Sequence, residues 1–167
     1  PTYLTEAHGF DIKNAGWAYF SYEFAAIPGT LLCGWLSDRL FKGRRALLNI
    51  IYTVCAAVCV CLYWKLGDTQ TKAIIFLICI GFFIYGPTML LAVQAMDLVP
   101  KNAAGAAVGL IGFCTYLLGT AILANTVLGF VVDNFSWDAN FIMVLLGCLV
   151  AIAFMAITIK AEKQPSA

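Results

Sequence analysis

Long apolar blocks separated by short polar segments dominate this chain. The blocks run approximately over residues 15–37, 46–64, 73–96, 103–132 and 139–159. Each is near or above the roughly 20 residues that a helix needs to cross the bilayer core. The blocks are too long for single strands and lack the roughly 10-residue alternating pattern of membrane barrels. The pattern therefore predicts an all-α, polytopic membrane protein with five transmembrane helices in one bundle, joined by short loops.

Composition supports the same class of protein. Charged residues make up 11% of the chain, hydrophobic residues 62%, and the mean hydropathy is +0.89. A soluble domain of this size would carry about 25% charged residues. No run of charge and no interleaving of aromatic and basic residues is typical of a nucleic-acid surface, so we expect the lipid bilayer, and no nucleic acid, as a partner.

The basic residues are distributed unevenly between the two sides of the predicted bundle. The first loop between helices carries Arg39, Lys42, Arg44 and Arg45. Because short cytoplasmic loops accumulate Lys and Arg, this loop is expected inside. The alternation of helices then places seven basic residues inside and three outside, out of ten in the chain. We therefore expect a cytoplasmic C-terminus and an external N-terminal segment.

Glu23 is a lone carboxylate inside the first apolar block. A charge in hydrocarbon is costly and usually faces a protein interior or a water-filled cavity. Counted from Ala15, Glu23 lies about 12 Å deep in a core about 30 Å thick. Tyr85 and Tyr116 lie at similar mid-depth positions of the third and fourth blocks, where secondary transporters place their substrate sites. A buried tyrosine also often bonds only a backbone carbonyl, so for the tyrosines both interpretations stay open.

Proline interrupts two of the predicted helices near these polar residues. Pro28 follows Glu23 in the first block, and Pro87 follows Tyr85 in the third. Proline cannot donate the hydrogen bond to the preceding turn. The sequence therefore predicts kinks at Pro28 and Pro87.

Metal, cofactor and enzyme chemistry find little support in the sequence. All seven cysteines fall inside apolar blocks, where they are expected to act as small buried hydrophobic residues. Cys55, Cys59 and Cys61 lie within two turns of one helix but have no His or carboxylate partner nearby. No nucleophile is paired with a base, and no glycine loop could cradle a phosphate. We expect no metal, no cofactor and no enzymatic activity.

Two sets of motifs carry a resemblance to a known family. Gly34-Trp-Leu-Ser-Asp38-Arg39, followed by Lys42-Gly-Arg44-Arg45, resembles the G-x-x-x-D-R/K…G-R-R loop of the major facilitator superfamily, with two extra residues in between. An ordinary positive-inside loop would explain the arginines but not the aspartate. The stretches 17–38, 84–87 and 99–105, with the segment around Tyr116, are similar to the glycerol-phosphate branch of its organophosphate:phosphate antiporter family. The resemblance covers nearly the whole chain.

The resemblance implies a function and a place in a longer protein. Such antiporters exchange glycerol 3-phosphate for inorganic phosphate across the bacterial cytoplasmic membrane by alternating access between two six-helix halves. Residues 1–167 would form the carboxy-terminal half without its first helix, and the chain, which begins with Pro1 and has no recognisable signal peptide, is expected to be a fragment. Glu23 would form switchable ion pairs with the amino-terminal half, and Tyr85 and Tyr116 would face the substrate.

One feature of the family is missing from these five blocks. The family binds phosphate with paired arginines in its helices, whereas all three arginines here lie in one loop. The chain alone is therefore expected not to transport, and the amino-terminal half is its expected partner. The alternatives within this resemblance are a hexose-phosphate or phosphoglycerate antiporter, and a membrane sensor that binds a sugar phosphate without moving it.

Overall fold

The computed structural model describes residues 2–6, 9–41, 45–97 and 99–162, with the backbone alone for 160–162. Within these ranges every regular element is a helix, as the apolar blocks predict, and none is a strand. The elements are α1 (Thr2–Glu6), α2 (Ile12–Arg39), α3 (Arg45–Leu66), α4 (Gln70–Asp97), α5 (Ala104–Cys114), a π-helical segment (Thr115–Val127), α6 (Leu128–Asn134) and α7 (Trp137–Glu162).

Four helical stretches are long and apolar enough to cross a membrane. They are Arg45–Leu66, Gln70–Asp97, Ala104–Asn134 and Trp137–Ile159. The fifth predicted span lies in α2, whose 28 residues extend over about 42 Å. Its apolar stretch is diluted by Glu23, glycines and tyrosines, so α2 does not reach the mean hydropathy of the other four.

α4 lies at the centre of the bundle. It packs along both α2 and α3, and α3 in turn packs against α7. One cluster of buried residues joins the ends of α2, α3 and α4 nearest α1 and includes Ala18, Tyr63 and Ile80. A second cluster lies towards the opposite ends of the same helices and contains Cys33, Leu48, Tyr52 and Leu90. These two clusters hold α2, α3 and α4 together over their length.

Glycines allow α2 and α4 to approach until their backbones touch. A Cβ atom added to Gly29 would overlap the carbonyl oxygen of Phe82, and one added to Gly81 would overlap the carbonyl oxygen of Tyr22. Each helix therefore contributes one glycine to the contact with the other. Any larger residue at either position would force the two helices apart.

The predicted helix at 103–132 is not a uniform α-helix. Its middle 13 residues, Thr115–Val127, are π-helical, and α5 and α6 flank them. The hydroxyl of Thr126 donates to the carbonyl oxygen of Ala121, five residues earlier, in keeping with the wider turn. π-helical turns are rare and often occur at functional sites. No residue of this stretch is buried among the described residues.

An aromatic cluster joins α1, α3 and α7 at one end of the bundle. The ring of Tyr3 lies 5.0 Å from the rings of both Trp137 and Phe141. Trp64 stacks on Phe141, and its indole Nε1 donates to Asp138 at 2.6 Å. The short α1 is thereby fixed against the beginning of α7.

The expectation that all seven cysteines are buried is wrong. Cys33 is fully buried and Cys114 is exposed, while the other five are half-buried. Cys114 is exposed because α5, unlike α2 and α3, has no buried residue.

Candidate functional site

Glu23 and Tyr85, which are 62 positions apart in the sequence, meet across the contact between α2 and α4. The Tyr85 hydroxyl lies 3.1 Å from Oε1 and 3.0 Å from Oε2 of Glu23. A tyrosine has one hydroxyl proton, so Tyr85 donates to one carboxylate oxygen at a time. Glu23 is half-buried. No ion pair to Glu23 occurs in the part of the chain that the structure describes.

The glycine contact explains why this pair forms. Gly81 lies against the backbone of Tyr22, the residue that precedes Glu23. Tyr85 follows Gly81 by four residues and therefore lies on the same face of α4, about 6 Å further along its axis. Long helical side chains point back towards the N-terminus of their helix. This direction brings the Tyr85 hydroxyl to the carboxylate of Glu23.

Two further tyrosines of α2 surround the carboxylate. The rings of Tyr19 and Tyr22 stack with their centroids 5.9 Å apart, and the Tyr22 ring lies 6.0 Å from that of Tyr85. Both hydroxyl groups lie near the Glu23–Tyr85 pair. Neither residue was predicted from the sequence. The spacing of four positions between Tyr19 and Glu23, which places both side chains on one face of the helix, was the available signal for Tyr19.

A cavity of about 390 Å³ lies beside this cluster, between α4 and the stretch of α5 and the π-helical segment. Six of its eleven lining residues carry a hydroxyl group, namely Tyr22, Tyr85, Thr88, Thr115, Tyr116 and Thr120. Tyr85 and Tyr116 therefore share one cavity. The side chain of Tyr116 is 74% exposed, at the beginning of the π-helical segment. Glu23 does not line the cavity, but it contacts Tyr85, which does.

The chemistry of this cavity suits an anion with several acceptor oxygens. Hydroxyl groups can donate hydrogen bonds to phosphate oxygens without fixing a charge opposite them. The described lining contains no Lys or Arg. The cavity alone would therefore orient a phosphate group, and the charge that attracts it would have to come from elsewhere.

The loop signature lies at the opposite end of α2 from α1. Asp38 and Arg39 are exposed at the end of α2. A Cβ atom added to Gly34 would lie 3.9 Å from the Met89 side chain. Arg45 begins α3 and forms an ion pair of 2.5 Å with Asp97, the last residue of α4. Arg44 lies outside the described residues. Asp97 was not predicted from the sequence, where its position at the end of an apolar block was the only signal.

The two prolines lie within unbroken helices. Pro28 is exposed on α2, and Pro87 is buried on α4 next to Gly86. A Cβ atom added to Gly86 would lie 2.8 Å from both Cys33 Sγ and Tyr52 Cδ1. The Gly86–Pro87 pair therefore serves the packing of α4 against α2 and α3, and the kinks remain predictions.

Curated proteins from several bacteria are similar to this chain over most of its length. A glycerol-3-phosphate transporter of Bacillus subtilis is 50% identical over 98% of the chain and 37% of its own length. A glycerol-3-phosphate transporter of Haemophilus influenzae is 38% identical over 100% of the chain and 38% of its own length. A phosphoglycerate transporter protein of Salmonella typhimurium is 41% identical over 92% of the chain and 33% of its own length. The chain thus spans less than two fifths of the length of these relatives.

No solved structure matches the chain. Residues 1–124, about three quarters of the sequence, match the Major Facilitator Superfamily. Together with the apolar helices and the loop signature at Asp38–Arg45, this match shows that the chain belongs to the Major Facilitator Superfamily.

Proposed function

We propose that this chain is part of the carboxy-terminal half of a transporter that exchanges glycerol 3-phosphate for inorganic phosphate across a bacterial cytoplasmic membrane. The observation that carries the proposal is the hydroxyl-lined cavity shared by Tyr85 and Tyr116, with Glu23 behind it. The 50% identity to a protein named as a glycerol-3-phosphate transporter supports the choice of substrate. The loop between α2 and α3, with Arg39 and Arg45, faces the cytoplasm in this proposal.

Glu23 and the tyrosines have different roles in this mechanism. The hydroxyl groups of Tyr85 and Tyr116 donate to phosphate oxygens and orient the substrate. Glu23 does not bind phosphate directly, because two anions in contact repel each other. It forms an ion pair with a cation of the amino-terminal half in one conformation and releases it in the other. In the structure the Tyr85 hydroxyl donates to the carboxylate of Glu23.

Phosphate is a suitable exchange partner because it shares its charged group with glycerol 3-phosphate. A cavity that recognises phosphate oxygens through hydroxyl groups accepts both anions, and the glycerol moiety adds contacts that only one of them makes. Either anion, once bound, can then allow the binding site to open to the opposite side of the membrane. In this proposal the cations that bind both anions lie outside the present chain, which is therefore expected not to transport on its own.

The test uses the full-length protein in proteoliposomes. Vesicles loaded with inorganic phosphate should take up labelled glycerol 3-phosphate, and vesicles loaded with sulfate at the same ionic strength should not. External unlabelled phosphate should compete with the uptake. Uptake that is indifferent to phosphate on both sides would refute the exchange mechanism, and binding without any flux would favour a sensor.

A phosphoglycerate antiporter is the second candidate. The 41% identity to a phosphoglycerate transporter protein favours it, although over a smaller share of the chain. Phosphoglycerate carries a carboxylate in addition to the phosphate, and it would need a further donor or cation at the cavity. Competition between 3-phosphoglycerate and labelled glycerol 3-phosphate decides between the two. A stronger effect of phosphoglycerate would identify it as the preferred substrate.

A further inference from the structure

A groove of about 390 Å³ lies between α3 and α7, and it shares no lining residue with the candidate substrate cavity. The side chains that outline it are Val54, Val58 and Leu62 on α3 and Leu145, Leu149 and Ile152 on α7. Each set recurs at intervals of three or four positions and so forms an apolar stripe along one face of its helix. Val58 and Leu149 are 52% and 62% exposed, so the packing of α3 against α7 leaves the groove open.

The groove has the depth of one leaflet of a bilayer. Counted back from Leu66, the last residue of α3, Leu62 lies about 6 Å and Val54 about 18 Å along the helix axis. Half of a hydrocarbon core about 30 Å thick is about 15 Å. Both α3 and α7 are long and apolar enough to cross a membrane. The length and polarity of the groove therefore suit one acyl chain of a lipid.

Charged groups of both signs lie at the end of the groove nearest the loop between α3 and α4. Lys65 follows Cys61 and Leu62 by four and three positions and therefore lies on the same face of α3. Its Nζ lies 3.7 Å from the centre of the Trp64 ring, in a cation–π contact. The indole Nε1 of Trp64 donates to Asp138 of α7 at 2.6 Å. One indole thus holds a cation over its face and a carboxylate at its edge.

The two charges do not neutralise each other directly. No ion pair joins Lys65 to Asp138 in the part of the chain that the structure describes. Both side chains are exposed, and a carboxylate that accepts one hydrogen bond from Trp64 has a second oxygen that can accept others. A further exposed carboxylate, Asp68, follows Lys65 by three positions. A purely anionic headgroup would therefore meet two carboxylates for one cation, whereas a headgroup with both signs of charge would match them.

We propose that this groove binds a phospholipid whose headgroup carries a phosphate and a primary amine, as that of phosphatidylethanolamine does. One acyl chain lies between α3 and α7, the Lys65 ammonium donates to the phosphate, and the amine of the lipid donates to Asp138. Trp64 occupies the headgroup level, where tryptophan is enriched in membrane proteins. The inference goes beyond the proposed function, because it concerns the lipid-facing groove and not the substrate cavity.

The test measures lipid binding to the purified full-length protein in detergent by native mass spectrometry, without substrate. Phosphatidylethanolamine, phosphatidylcholine and phosphatidylglycerol with identical acyl chains are titrated separately. Leu149→Trp fills the groove, and Val150→Trp is its matched control, because Val150 is also exposed on α7 but does not line the groove. Lys65→Ala removes the cation, and Lys72→Ala, which removes an exposed lysine near the beginning of α4, is its control.

We expect the wild type to bind phosphatidylethanolamine more tightly than the other two lipids. Leu149→Trp should weaken the binding of all three, because it blocks the acyl chain. Lys65→Ala should lower the affinity for phosphatidylethanolamine by about two- to fivefold, the range of an exposed ion pair. Asp138→Asn keeps an oxygen that can accept from Trp64 but loses the charge. It should abolish the preference over phosphatidylcholine, whose quaternary ammonium has no N–H to donate. Val150→Trp and Lys72→Ala should bind like the wild type.

Equal affinity for the three lipids, or tighter binding of phosphatidylglycerol than of phosphatidylethanolamine, would overturn the inference. So would equal losses of binding in Leu149→Trp and Val150→Trp, or undiminished binding in Leu149→Trp. Lys65→Ala and Asp138→Asn change exposed side chains and decide the question even where Leu149→Trp does not fold, since unchanged lipid preference in both would refute the headgroup site. A protein that binds lipid as expected but does not exchange substrates would contradict the proposed function and leave this inference intact.

Discussion

Replacing Gly81 by alanine tests how the candidate site is assembled. An added Cβ atom would overlap the carbonyl oxygen of Tyr22 and lie 2.9 Å from its carbonyl carbon. These are backbone atoms, so no side chain can rotate away and α2 must move relative to α4. Gly147, on α7, is the matched control because an added Cβ there meets no atom within 4 Å.

The expected effect follows from two opposing terms. Overpacking a well-packed contact costs about 1–3 kcal/mol. Replacing a helical glycine by alanine stabilises the helix by about 1 kcal/mol. Because the overlap at Gly81 involves backbone, we expect the larger penalty to apply and Gly81→Ala to lower the free energy of unfolding by about 1–2 kcal/mol. Gly147→Ala should leave it unchanged or raise it.

The assay is unfolding of the full-length protein by SDS titration in mixed micelles, with wild type and both variants measured side by side. The same separation of α2 from α4 should lengthen the 3.0 Å contact between Tyr85 and Glu23, so Gly81→Ala should also reduce the rate of exchange. Equal stability of Gly81→Ala and Gly147→Ala would refute the claim that a backbone contact at Gly81 holds the site together.

Two further predictions concern the ends of the bundle. Reversing the charge of Arg45 or Asp97 alone should lower the free energy of unfolding by about 0.5–1 kcal/mol. In a double-mutant cycle, reversing both charges should recover most of that loss. Additive effects of the two single reversals would show that the pair does not interact. Asp138→Ala removes the acceptor for the indole of Trp64 and should lower the free energy of unfolding by about 0.5–1.5 kcal/mol in the same titration. Unchanged stability in both Asp138→Ala and Trp64→Phe would contradict a stabilising contact.

The sequence was informative about helices because their solvent is lipid. A helix that crosses a bilayer must be apolar over about 20 residues, and such a stretch can be recognised from the sequence alone. α3 (Arg45–Leu66) and α4 (Gln70–Asp97) extend the predicted blocks 46–64 and 73–96 by a few residues at each end. The π-helical segment could not be predicted, because Thr115–Val127 has the same apolar composition as an ordinary transmembrane helix.

The candidate site was only partly predictable. Glu23 could be singled out because a charge in hydrocarbon needs an explanation. Its contact with Tyr85 could not be predicted, since it depends on a close approach of two helices far apart in sequence. The glycine that permits it, Gly81, has no distinctive local pattern. Tyr22 was missed for a related reason, since α2 carries two tyrosines and only the packing of α4 shows which of them faces Tyr85.

The ion pair of Arg45 shows the same limit at the end of the bundle. The basic loop could be recognised from its charge, but the sequence does not show which carboxylate an arginine selects. The structure joins Arg45 to Asp97, 52 positions away, because α3 and α4 are antiparallel neighbours. Pairing of Asp38 with an arginine of the loop stays a prediction.

The most direct test of the account is exchange by the full-length protein with Glu23→Gln, compared with Asp133→Asn. Both substitutions remove one carboxylate, but Asp133 lies in α6 and does not line the cavity shared by Tyr85 and Tyr116. In phosphate-loaded proteoliposomes, Glu23→Gln should lower glycerol 3-phosphate uptake at least about tenfold, which corresponds to about 1.4 kcal/mol, while Asp133→Asn should transport like the wild type. Normal exchange by Glu23→Gln would contradict the central claim that this carboxylate takes part in transport.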